Sequence, residues 1–132
     1  MQNILAKKIF MAVIALSGAI LNAMYGAKLL AEFFNPINTD VIREILISAI
    51  ILEFAWAALL VWVIFNPFER RHILLFTVFP VLLGNFMHSL NQLMGGQTDK
   101  QGGIVLNTIF GLIYAGLYAV AYYMGKSGIR RE

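Results

Sequence analysis

The sequence predicts an all-α protein: an integral membrane four-helix bundle whose N-terminus and C-terminus are both cytoplasmic. Three observations predict it. Hydrophobic residues fill 60% of the 132 positions and mean hydropathy is +0.76, whereas a soluble domain is about 45–50% apolar. The apolar residues gather into four runs, each near the roughly 20 residues that cross a hydrocarbon core of about 30 Å. At the midpoint, Asn66-Pro67-Phe68-Glu69-Arg70-Arg71-His72 joins two of these runs by a short charged corner. Asn66-Pro67 stops a helix there, because proline lacks a backbone donor and turns the residue before it away from helical geometry. Arg70 and Arg71 mark that corner as cytoplasmic and lipid-facing, since basic residues in short loops are retained inside.

Helix 1 is expected from about Lys8 to Phe34. Lys7 and Lys8 precede its apolar run as they would in a signal peptide, but the run continues without a small-residue cleavage site, so it reads as a retained span. Ala15, Ala19, Ala23, Ala27 and Ala31 recur at every fourth position, a small-residue stripe suited to close helix packing. Asn35 to Asp40 ends this helix and caps the next through Thr39 or Asp40. Helix 2, about Val41 to Phe65, carries Glu53 near its middle, together with Trp56 and Trp62. Helix 3, about Arg71 to Met94, contains Pro80, and its far half is polar: Asn85, His88, Ser89, Asn91 and Gln92. A glycine-bounded polar loop leads to helix 4, about Ile104 to Gly125, in which Gly111, Ala115 and Ala119 repeat the small-residue device beside Tyr114, Tyr118 and Tyr122.

Charge supports this path. With both termini inside, Lys7, Lys8, Arg70, Arg71, Lys126, Arg130 and Arg131 are cytoplasmic, while Lys28, Arg43 and Lys100 are outside. The net charge of +3 and pI near 9.4 therefore describe membrane topology rather than nucleic-acid binding. The chain has no cysteine, which excludes disulfides, cysteine-ligated metal and thioether-linked haem. His72 and His88 lie sixteen residues apart on one helix, about 24 Å along its axis, too far to ligate one haem. No zinc motif, nucleophile elbow or phosphate-binding glycine loop is present.

Function must then be sought among polar groups at bilayer depth, each of which needs a partner or a purpose. Counting rise from the helix ends brings Asn22, Glu53, Asn85 and Tyr114 near the midplane, one from each helix. Asn85, His88 and Gln92 follow i, i+3, i+7 on one face of helix 3, and Asn22, Tyr25 and Lys28 follow in steps of three on helix 1. If these faces turn inward, they form a polar pocket opening outward, with Lys28 or His88 as partner to Glu53. A buried strut that sets helix register explains Glu53 about equally well, and a hydrogen-bonded interior histidine explains His88 somewhat better than a proton relay does.

Several of these residues resemble those of the DoxX-like group of small four-helix membrane proteins. The resemblance rests on Gly26-Ala27-Lys28-Leu29 late in helix 1, Glu53 in helix 2, Arg70-Arg71 at the start of helix 3 and His88 toward its far end. Ala57, Leu59 and Leu60 stand where the group carries glycines. The resemblance implies an accessory or quinone-linked subunit of a membrane oxidoreductase system in a prokaryotic cytoplasmic membrane, with Lys28, Glu53, Arg70 and His88 as its working residues and quinone as the cofactor class. A non-catalytic carrier for a small solute or lipid, and a structural subunit that joins other membrane subunits through its small-residue faces, remain the competing expectations.

Overall fold

The computed structural model describes residues 2–94 and 101–129, with side chains at Gln2, Asn85, 87–94, 101–103, 107 and 127–129 outside the description. Four helices account for the described chain: α1 Gln2–Phe33, α2 Asp40–Phe65, α3 Arg71–Met94 and α4 Gln101–Ile129. Three are long and apolar enough to cross a membrane, over Asn3–Phe33, Asp40–Phe65 and Ile104–Lys126; α3 has an apolar stretch over Arg71–Gly84. α1 starts six residues before the expected Lys8, so both lysines are helical.

The connections end as their residues dictate. The α1 C-terminus is closed by Asn35, whose backbone N–H donates to the Glu32 carbonyl, and by Asn38, whose amide donates to the same oxygen at 2.6 Å. Thr39 is the N-cap of α2: its hydroxyl accepts from the Ile42 N–H at 3.5 Å, satisfying one of the donors that a helix start leaves free. Asn66 caps the other end, and its N–H returns to the Val63 carbonyl. Arg70 folds back over this corner. Its guanidinium donates to the Trp62 carbonyl and lies 4.2 Å from the Trp62 ring centroid, placing positive charge where the α2 dipole ends negative.

Packing is strongest within the pairs α1–α2 and α3–α4, and the pairs join through α1–α4 and, more lightly, α2–α3. The buried core is Met11, Ile14, Ala15 and Ala19 of α1, Leu60 and Val63 of α2, Leu74 of α3, and Tyr118 and Ala121 of α4. All of these lie in the half of each helix nearest the Asn66–Arg70 corner or at its middle. Along both halves, large apolar residues such as Ile9, Phe65, Phe76, Ile45, Phe86 and Ile109 are exposed around the helices, as lipid-facing side chains are.

The tightest approach is made by glycine. Gly18 lies beneath Tyr118, and a methyl group there would overlap the Tyr118 hydroxyl and stand 3.0 Å from Leu60 Cδ1. Three helices therefore meet over one missing side chain, with the bulk on α2 and α4 and the gap on α1. The alanine stripe does not hold as a single face. Ala15 and Ala19 are buried, Ala23 is half-buried, and Ala27 and Ala31 are exposed. Four residues advance a helix by about 400°, so each step drifts about 40° and a stripe of five alanines winds away from its neighbour. The face that stays inward is Met11, Ala15, Gly18, Asn22, Gly26, Leu29 and Phe33, whose mixed steps of three and four largely cancel the drift.

A hydrogen bond absent from the sequence reading ties α2 to α3. Trp56 Nε1 donates to Thr77 Oγ1 at 3.2 Å, and the Thr77 hydroxyl donates to the Ile73 carbonyl at 2.7 Å. Thr77 is fully buried, so this relay gives both polar groups partners inside an apolar contact.

Candidate functional site

Each helix presents its inward residues at mixed spacings of three and four, and along these seams the chemistry changes. Near the corner they are apolar and buried: Met11 and Ala15, Leu60 and Val63, Leu74, Tyr118 and Ala121. At the middle of the helices and beyond it the same seams carry Glu53 on α2, Tyr114 on α4 and Asn22 on α1, all half-buried.

Glu53 is thirteen residues after Asp40 and twelve before Phe65, about 20 Å and 18 Å from the two ends of α2. It lies against the α1 backbone. A Cβ on Gly26 would be 3.3 Å from Glu53 Cβ and 3.1 Å from Phe54 Cε2, so the absent side chain admits the base of the glutamate. Arg43 pairs with Asp40 at 3.6 Å, and among the described residues neither an ion pair nor a hydrogen bond reaches the Glu53 carboxyl group.

Lys28 is exposed and does not pair with Glu53 among the described residues. The reason is rotational: Lys28 follows Gly26 by two residues, about 200° of turn, and so projects from the far side of α1. Its long stem suits it to reach the nearby end of the helix instead. Tyr25 is exposed as well. Each step of three from Asn22 turns back by about 60°, so the series Asn22, Tyr25, Lys28 leaves the inward face. Asn22 itself donates its amide to the Gly18 carbonyl at 2.7 Å, which spends one polar group on its own helix.

Tyr114 and Tyr118 stack obliquely, with centroids 6.2 Å apart, so the buried tyrosine of the core touches the half-buried tyrosine beyond it. The side chains of Asn85, His88 and Gln92 lie outside the described residues; α3 continues as a helix through their positions and through Pro80. Among the described residues no group of three His, Asp or Glu gathers as a metal site. Arg70 and Arg71 are both half-buried and bonded to corner carbonyls at Trp62 and Phe68, so each shapes the turn as well as carrying charge.

No family model matches the chain, and no curated protein or solved structure is significantly similar to it.

Proposed function

We propose that the chain is an up-down-up-down four-helix bundle in a prokaryotic cytoplasmic membrane, with both termini and the Arg70–Arg71 corner cytoplasmic. In this reading it is a DoxX-like accessory subunit of a membrane oxidoreductase system that holds a quinone headgroup in its outer half. The observation that supports it is Glu53, unpaired among the described residues and mid-helix on an inward seam against Gly26. A carboxyl group without a counter-charge is tolerated at membrane depth as the neutral acid, which donates one hydrogen bond. A quinone is uncharged and offers carbonyl acceptors on an apolar ring. Glu53 and Tyr114 would supply donors, and Phe54 and Trp56 an apolar border. The α3 seam Leu74, Val78, Val81 continues in sequence at the same spacing to Asn85, His88 and Gln92, which would close the pocket from the opposite helix. The quinone, when bound, would supply the redox chemistry; the chain's own residues would bind and orient it.

A structural role is favoured by one observation, the Asn22 amide satisfied by its own helix. Mass spectrometry and visible absorption of gently purified protein separate the readings, comparing wild type, Glu53→Leu and His88→Ala. Quinone bound to wild type and reduced at least tenfold in either variant is the expected result. A non-quinone lipid or solute lost in the same variants transfers the pocket to a carrier. An empty protein in all three forms refutes ligand binding, and a Glu53→Leu variant less stable than wild type makes Glu53 a strut.

A further inference from the structure

We propose that Arg71, with Lys8 and Lys126, binds the phosphodiester headgroup of an anionic phospholipid at the corner end of the protein. This rests on the membrane orientation proposed above, which puts that end in the cytoplasmic leaflet.

The site is built where α1, α3 and α4 converge. Gly125 leaves a gap that Met11 and Arg71 fill: a Cβ there would lie 2.7 Å from Met11 Cε and 3.2 Å from Arg71 Cδ. Arg71 is thus held between helices rather than trailing in solvent. One of its terminal nitrogens donates to the Phe68 carbonyl at 2.8 Å, while its Nε is buried with no acceptor. Arg43 also has a buried, unpartnered Nε, but its charge is met by Asp40. Arg71 has no such carboxylate among the described residues. α3 and α4 contain no acidic residue, and the single acid of α1, Glu32, is at the other end. Glu69, the nearest acid in the chain, is exposed and makes no ion pair with Arg71. Arg71 is also the first residue of α3, where the helix dipole adds to its charge instead of offsetting it.

The neighbours increase the need for an anion. Lys8 is one turn before Met11 and exposed, and Lys126 follows Gly125 and is exposed. His72, next to Arg71, sets its ring 5.5 Å from that of Tyr122. A phosphodiester meets this array well, because a guanidinium edge binds two phosphate oxygens in parallel and the lysines need only proximity. Lipid phosphates lie just outside the hydrocarbon core, at the level of helix ends such as these, and surface lysines and arginines draw anionic lipid toward them.

The test is native mass spectrometry after stepwise delipidation of protein reconstituted in phosphatidylcholine vesicles containing phosphatidylglycerol. Wild type is expected to retain phosphatidylglycerol over phosphatidylcholine, with at least tenfold lower retention in Arg71→Gln and an intermediate loss in Arg71→Lys. The exposed pair Lys8→Gln/Lys126→Gln, which leaves the packed arginine in place, is expected to lose several-fold. Equal retention in wild type and Arg71→Gln overturns the site. So does full retention in Arg71→Lys, which reduces the effect to charge, or a melting-temperature rise with inorganic phosphate equal to that with the lipid, which makes the ligand a soluble anion. Lys126→Cys in this cysteine-free chain, labelled with an impermeant maleimide in spheroplasts, reads orientation separately. Labelling from outside refutes the topology while lipid retention still reports on the site.

Discussion

Replacing Gly18 by alanine tests the central packing claim against a control of identical chemistry. Gly18 is buried beneath Tyr118 and Leu60, whereas a Cβ on Gly116 would meet nothing within 4 Å. Alanine in a helix interior gains about 0.5–1 kcal/mol over glycine through backbone entropy, and that gain applies at both positions. At Gly18 it is opposed by overpacking, which costs about 1–3 kcal/mol when a methyl group enters a filled core. The two substitutions should therefore differ by about 1–3 kcal/mol. At roughly 4 °C per kcal/mol for a chain of this size, Gly18→Ala should melt about 4–12 °C below Gly116→Ala, measured by circular dichroism in one detergent. Tyr118→Phe removes the hydroxyl that the methyl group overlaps. The double variant Gly18→Ala/Tyr118→Phe should recover part of the loss, but not all, because Leu60 Cδ1 still stands 3.0 Å away. Equal melting of the two glycine variants, or no recovery in the double variant, would refute the three-helix junction.

Three further outcomes follow from the polar contacts. Thr77→Val strands the Trp56 indole N–H and should cost about 1–3 kcal/mol, more than Thr77→Val/Trp56→Phe costs beyond Trp56→Phe alone; strict additivity in a thermal or denaturant double-mutant cycle would remove the relay. Arg70→Gln loses both the Trp62 carbonyl bond and the ring contact, worth together about 1–2 kcal/mol, and should shift tryptophan emission when measured in a Trp56→Phe background, where Trp62 is the only emitter. Thr39→Ala removes the α2 cap and should cost about 0.5–1 kcal/mol, at the low end for such caps because the bond is long; an unchanged melting temperature would mean that Asp40 or water takes over.

How far the sequence can be read depends on the kind of evidence each feature leaves. Apolar length and proline punctuation are local, and they locate α2 and α3 within a residue of where they lie, narrow the α2 N-cap to Thr39 or Asp40 and mark Asn66 at its other end. The early start of α1 escapes such reading because Gln2 to Ala6 contains no glycine or proline to stop a helix, so the helix continues past its apolar run. The alanine series misleads for a geometric reason: constant spacing looks like a face, yet only alternating threes and fours keep one. Trp56 and Thr77 lie on different helices, and no local pattern pairs them; the available signal was an indole N–H and a hydroxyl in two otherwise apolar runs, each requiring a partner. Lys28 and Glu53 invited pairing by charge and depth, and two residues of helical rotation from Gly26 separate them.

The division of the seams also separates stability from the proposed activity. The fully buried side chains, Met11, Leu60, Val63, Leu74, Thr77 and Tyr118, all belong to the corner half, so that half supplies the packing that removal of a methyl group would damage. Glu53 lies at the edge of that half, at the middle of α2, half-buried, with no described hydrogen bond or ion pair to lose. A glutamate retained only to hold the fold would be expected to sit within the packed half, or to bind a partner across a seam as Trp56 does. Replacing it by leucine removes a polar group from an apolar setting and breaks no described contact, so Glu53→Leu should melt at or above the wild-type temperature. Stability gained together with ligand lost would assign the residue to binding, since a strut cannot be removed without cost. A loss of several degrees would return Glu53 to the structure, with its partner to be sought among the polar residues of the far half of α3.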